Sequence, residues 1–177
     1  MTRRLKIRRS GAAVLVGLLL GACQQPASGR HSGLQGGASS IGELLNQMVS
    51  ALNTKDRGAL ENLRVTEEEY RGIIIPGHAE PGHAPQRIGE EAAEYFWGVL
   101  DTRSRFNAAG LLGNAGGQGL EVVDWSFTKG VKTYAGYTAH RRLELRVKSL
   151  AGSSEEIATG SIAEVDGRFK FISFIRD

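Results

Sequence analysis

The sequence predicts an α+β domain in which helices come first and an antiparallel meander closes the chain. Apolar residues recur at helical spacing between residues 41 and 100, whereas from Val123 onward the period shifts to two. A third sign is Asp166-Gly167, a preferred two-residue hairpin turn, lying between two apolar runs. The architecture expected from these signs is a set of amphipathic helices packed on a curved, four-stranded antiparallel sheet over residues 40–177. A chain of 177 residues suits one core of ordinary size.

The amino terminus is of a different kind. Arg3, Arg4, Lys6, Arg8 and Arg9 precede an uncharged apolar run over residues 11–22, the pattern of an export signal. The run has 12 residues, short of the roughly 20 that cross a bilayer as a helix. Taking those five charges from 22 basic residues leaves 17 against 19 acidic ones, so the basic balance of the chain resides in its leader. Arg141, Arg142, Arg146 and Lys148 make only a thin stripe, and no nucleic-acid partner is expected. Cys23 is the single cysteine, which excludes an internal disulfide. Residues 24–39 are rich in Gly, Ser, Gln and Ala and read as a flexible tether, with His31 a solvated linker residue.

Ser40 and Glu43 have capping-box spacing, and Ile41, Leu44, Leu45, Met48, Val49 and Leu52 form one apolar stripe through about Asn53. Thr54 is expected to cap a second short helix carrying Leu60 and Leu63. Val65, Thr66, Glu69 and Tyr70 read as a staple plus capping box for a third, which Pro76 ends. Pro-Gly-His-Ala then occurs twice, at 76–79 and 81–84, and must be loop. A longer helix from about Ile88 is expected to bury Ala92, Tyr95, Phe96, Val99 and Leu100, with Trp97 at a rim or against a partner. It frays in the glycine-rich stretch 110–119, which lacks the Lys-Ser/Thr of a phosphate loop.

In the second half Val123, Trp125 and Phe127 alternate with Asp124 and Ser126, and Lys129-Gly130 turns into a long extended segment over 132–148. There Ala135, Tyr137, Ala139, Leu143, Leu145 and Val147 share a dry face, with a bend expected at Gly136. Residues 151–153 turn the chain again, 156–165 runs back, and Asp166-Gly167 leads into the last strand over 168–176.

Leu20-Gly21-Ala22-Cys23 resembles a bacterial lipobox. The resemblance implies cleavage between Ala22 and Cys23, a diacylglycerol on the Cys23 sulfur, and an acyl chain such as palmitate on the new amino group. The division that follows is 1–22 signal peptide, 23–39 lipidated cysteine and tether, and 40–177 folded domain. Two or three acyl chains hold a protein firmly on a bilayer. With Gln24 after the cysteine, the resemblance implies the outer membrane, facing the periplasm. Helices followed by a meander ending in Glu164-Val165-Asp166-Gly167-Arg168-Phe169-Lys170-Phe171, with Asp56 to Leu60 as an Asp-x-x-Ala-Leu segment, resemble the NTF2-like (cystatin-like α+β) superfamily. In that group the sheet wraps the helices into a cone whose mouth binds small ligands, and some members are isomerases or dehydratases.

The expected pocket is lined by Trp125, Tyr137, Arg141 and Phe171. Arg141 falls in the apolar series, so it either lines a wet pocket for an anionic group or is returned to solvent by a bulge. His78, Glu80 and His83 are the nearest to a metal cluster, but a loop gives them no fixed geometry and no metal or other cofactor is expected. Asp124 with Tyr95 or Tyr134 would be the base and donor of an isomerase-type site. The expectation is a lipid-anchored, non-catalytic envelope module that binds a small apolar or anionic ligand or acts as a scaffold. The rivals are an enzyme of the same fold with a pocket carboxylate and a partner-binding subunit of an envelope complex.

Overall fold

The chain enters its first helix at Ser40, whose hydroxyl accepts the amide of Glu43 at 3.1 Å. The computed structural model describes residues 33–176, so the leader, the lipobox, His31 and Asp177 lie outside the described residues. Glu43 reaches back past the cap to the Ser39 amide and hydroxyl, both at 2.6 Å, rather than to Ser40. Helix α1 (Ile41–Thr54) buries Leu44, Leu45, Met48, Val49 and Leu52 as its periodicity requires. Thr54 ends α1, and the cap of α2 (Arg57–Asn62) is Asp56, which accepts the Ala59 amide at 2.9 Å. An aspartate two residues on satisfies the amides of the turn that the chain actually makes, so Thr54 is left to bond the Ser50 carbonyl.

Thr66 and Glu69 form the expected reciprocal capping box at α3 (Glu67–Glu69). Pro76 does not end the helical run. A π-helical turn (Tyr70–Ile74) intervenes, and the proline lies in the helical turn α4 (Ile75–Gly77) that continues it. Helix α5 (Glu90–Ala115) runs for 26 residues straight through Gly110 and Gly113, past the point where fraying was expected. Its orientation also differs from expectation. The residues it buries are small, Ala93, Ser104, Ala108 and Ala115, while Tyr95, Phe96 and Val99 are exposed. Among the described residues no helix is long and apolar enough to cross a membrane.

Seven strands follow: β1 (Glu121–Phe127), β2 (Val131–Thr133), β3 (Thr138–His140), β4 (Leu143–Lys148), β5 (Ser154–Thr159), β6 (Ile162–Val165) and β7 (Arg168–Phe171). They form two antiparallel sheets, ordered β1-β4-β5 and β2-β3-β6-β7, in place of the expected single sheet of four. The breaks between β1 and β2, between β3 and β4 and between β5 and β6 fall at neighbouring positions, and Thr128 and Lys129 still donate to the carbonyls of Arg142 and Arg141 across the first two. Lys129-Gly130 is therefore a break within one run of chain, and the reversal comes at residues 134–137, where the Tyr134 amide bonds the Tyr137 carbonyl at 2.8 Å. Gly136 is in that reversal rather than at a bend. The dry face is as expected from Tyr137 through Ala139, Leu143, Leu145 and Val147, all buried, but Ala135 is exposed. Asp166 and Gly167 both take positive φ, 48° and 71°, as a two-residue hairpin turn demands.

One core cluster joins α1, α2, α5 and the β4 side of the sheets, with Phe171 and Phe174 at its centre. A second joins Val65, Ile73 and Ile74 to Tyr137, Ala139 and Val165. Leu34 belongs to the second and Ala38 to the first, although both were expected in the tether. Ala38 exchanges two backbone bonds with Phe169, at 3.1 and 2.9 Å, so burial and sheet pairing order a stretch whose composition is that of a linker.

The turn at 134–137 docks on the end of α4. Gly136 donates to the Gly77 carbonyl at 3.1 Å, and a Cβ on Gly136 would lie 2.6 Å from the Gly77 Cα. Gly136→Ala is therefore expected to push the hairpin off α4 at a cost of roughly 1–3 kcal/mol, read as a lowered midpoint in urea. Gly130→Ala, which meets no neighbour at Cβ but has positive φ, is the comparison for backbone strain alone.

Candidate functional site

Arg64 is delivered by backbone pairing. It follows α2 and forms an isolated bridge with Phe171, flanked by bonds from Val65 N to Phe171 O and from Phe171 N to Leu63 O, at 2.8 and 2.9 Å. Its side chain is 5% exposed and runs toward α5, where Nη2 donates to Asp101 Oδ1. The Trp97 ring covers the guanidinium at 5.7 Å, a cation–π contact, and Trp97 in turn lies 5.5 Å from Tyr70.

A cavity of about 870 Å³ opens here between the N-terminal stretch, the α2–α3 link, α5 and β7. Gln35, Thr66, Glu69, Trp97, Asp101 and Lys170 are among its walls. Two charge systems build it. In the first, Arg57 and Arg105 both donate to Glu61, at 2.7 and 3.1 Å, while Arg105 and Arg64 both donate to Asp101. Burial works against ionisation of Asp101, but the bonds from Arg64 and Arg105 outweigh it and hold the carboxyl below its usual range. In the second, Lys170 Nζ donates to both oxygens of Glu69 at 3.0 Å, with the two side chains 5% and 3% exposed. Glu69 also accepts the amides of Gln35 and Thr66, each at 2.7 Å.

Arg64 is the unbalanced member. Its Nε and Nη1 are buried and have no hydrogen-bond partner. Arg71, Arg141 and Arg142 each leave a buried Nε without a partner and Thr159 its hydroxyl, but among these Arg64 alone leaves two guanidinium nitrogens so, and buried donors without a partner are uncommon in folded proteins.

The four residues expected to share a pocket lie in separate places. Phe171 is fully buried in the first cluster, 5.0 Å from Phe174. Tyr137 is in the second cluster, sharing a 2.8 Å hydrogen bond with His78 Nδ1 and stacking on Tyr134, and burial pushes its hydroxyl far up from the usual phenol range. Arg141 sits at the β3–β4 break and donates to the Lys129 carbonyl at 2.6 Å, beside Arg142 with φ of 57°. Arg141 is half-buried there and its Nε has no hydrogen-bond partner, so it is neither in the expected pocket nor fully returned to solvent. Trp125 is 39% exposed on β1, bordering a hollow of about 60 Å³ with Ser126 and Arg146. Asp124 accepts its neighbour's amide at 2.8 Å, while Tyr95 is on the outside of α5 and Tyr134 on the hairpin, so that trio is not assembled.

Among the described residues no three His, Cys, Asp or Glu side chains converge as metal ligands do. His78 is stacked on Tyr134 at 4.3 Å, and Glu80 is held below its usual range by the hydrogen bond from Lys132. Sequence reasoning missed Arg64, Asp101, Glu69 and Lys170 as a group. Each comes from a different element, and only the placing of Trp97 at a rim or against a partner touched the site.

No protein-family model matches the chain, and no curated protein or solved structure matches it.

Removing one partner of the buried pair exposes its cost. Lys170→Met is expected to lose about 3–5 kcal/mol, as for other broken buried pairs, and Lys170→Met with Glu69→Gln to recover part of it, both by urea unfolding. Asp101, with its lowered folded pKa, stabilises the fold above the unfolded value near 4 and loses that contribution as pH falls through the folded one. The stability gap between wild type and Asp101→Asn is therefore expected to be full at neutral pH and to shrink below about pH 4.

Proposed function

We propose that the protein is a lipid-anchored envelope binding module that seats a small oxyanion in the cavity at Arg64. The observation that carries this is the pair of unpartnered, buried N–H groups on Arg64. Left without an acceptor, each such group costs about 1–3 kcal/mol, and a carboxylate or phosphate oxygen is the acceptor a guanidinium takes best. The acids on the wall are answered by pairing: Glu61 and Asp101 take bonds from Arg57, Arg64 and Arg105. Of the remaining acids on the cavity wall, Glu67 pairs with Arg71, Glu69 with Lys170, and Glu68 is also partnered. Trp97 offers an apolar surface for the body of the ligand.

The anchor is read from the lipobox at Leu20-Gly21-Ala22-Cys23 and the charged leader before it. With it goes residence in the envelope, on the outer membrane facing the periplasm. We also assign the domain to the NTF2-like group. Helices preceding the sheets, and strand breaks at neighbouring positions in three successive runs of chain, support a sheet that bends around the helices.

Two measurements test this. Native mass spectrometry of protein taken from membranes is expected to find a small anionic adduct on the wild type and none on Arg64→Lys, which keeps the charge but not the planar fork. Wild type without an adduct, and with no rise in melting temperature on adding millimolar succinate or inorganic phosphate, overturns the ligand assignment. Separately, Cys23→Ser is expected to abolish acylation and precursor cleavage. An unmodified Cys23 thiol in the wild-type intact mass overturns the anchor and leaves the cavity assignment standing.

A further inference from the structure

Helix α5 has two uncharged faces, and only one is used. The inner face buries Ala93, Ser104, Ala108 and Ala115, with Trp97, Leu111 and Leu112 packed beside them. On the opposite side Ala92, Tyr95, Val99, Thr102, Phe106, Ala109 and Gly113 follow one another at alternating steps of three and four residues, every one exposed and none charged. That alternation is the 3.5-residue repeat by which one helix pairs with another along a seam. Large rings stand on the outer side although Trp97, Leu111 and Leu112 already pack against the core: Tyr95 is 67% exposed, Phe96 50% and Phe106 80%.

We propose that this stripe is a self-association seam, along which α5 of a second copy packs antiparallel about a two-fold axis at Thr102. The pattern of sizes selects that arrangement. Turning a copy about Thr102 sets Tyr95 against Ala109, Val99 against Phe106 and Ala92 against Gly113, so a large residue always meets a smaller one. A parallel pair would set Phe106 on Phe106 and Tyr95 on Tyr95. The surface carries the matching hole. Tyr95, Gly98, Val99 and Thr102 stand at i, i+3, i+4 and i+7, the four corners of a knob-accepting site, and they border an open hollow of about 610 Å³. The antiparallel turn brings Phe106 of the second copy over it. Gly98 is the floor, and a Cβ there would meet nothing within 4 Å in the single copy.

The area suffices. At roughly 150–250 Å² per aromatic side chain, the two exposed rings of the stripe, Tyr95 and Phe106, leave about 220–370 Å² uncovered on each copy, and Phe96 beside them adds to the flank. Two copies, with Val99 and the small residues between, reach roughly 1,000 Å², the lower bound for a specific interface. Arg103 flanks the seam, and its two copies approach across the axis, so the pair tightens as salt rises.

The test places a cysteine on the axis. The full chain carrying Thr102→Cys, oxidised in membranes with copper phenanthroline, is expected to give a disulfide-linked homodimer that the parent chain, with Cys23 alone, does not. Adding Gly98→Leu fills the hole and is expected to abolish the band while helical circular dichroism of the purified variant is retained, since Leu is the better helix former. Detergent-solubilised parent chain is expected to sediment as a dimer and the Gly98→Leu variant as a monomer. Absence of a homodimer band, a band that survives Gly98→Leu, a cross-link to a chain of different mass, or a monomeric parent overturns the proposal.

Discussion

The carboxylate of Glu69 is the point on which the described structure depends. It accepts Lys170 Nζ on both oxygens and the amides of Thr66 and Gln35, so one side chain ties α3, β7 and the N-terminal stretch together. Its own geometry is set locally, because the capping box with Thr66 aims it before any tertiary contact forms. An ion pair this deep gains little over an apolar pair of the same size, yet it tolerates only one arrangement. The register of β7 against α3 follows, and with it the bridge between Arg64 and Phe171 that presents the Arg64 side chain to the cavity.

A second junction joins helices to sheet through contact so close that only glycine fits. Gly77 and Gly136 bring α4 against the hairpin at 134–137, and the His78, Tyr134 and Tyr137 rings stack over the contact. Between the two junctions lies Trp97, which touches Tyr70 of the π-helical turn and covers Arg64. The cavity is thus framed by elements that are each fixed for reasons of their own. The guanidinium within it lacks acceptors that the protein itself does not supply.

How legible each part was depends on the range of the interaction that set it. Capping at Ser40 and Thr66, the stripe on α1 and the Asp166-Gly167 turn involve residues within a few positions of one another, and all were legible. Helix α5 was legible as a helix but not in its orientation. With apolar residues on both sides, periodicity has no single direction, and Tyr95, Phe96 and Val99 were assigned inward where the fully buried positions are Ala and Ser. Arg141 and Trp125 fell in apolar alternations that strand breaks and exposure removed from the interior.

By itself the sequence determined that helices precede antiparallel strands, the caps at Ser40 and Thr66, the Asp166-Gly167 turn, and the dry face from Tyr137 to Val147. Those features arise from neighbours along the chain, where spacing and residue type carry the whole interaction. Only the tertiary structure decided that Gln35, Arg64, Glu69, Trp97, Asp101 and Lys170 would meet around one cavity. They are polar or singly placed residues from five stretches of chain. What joins them is the exclusion of water from paired charges, a cost that exists only once the surrounding surfaces have closed.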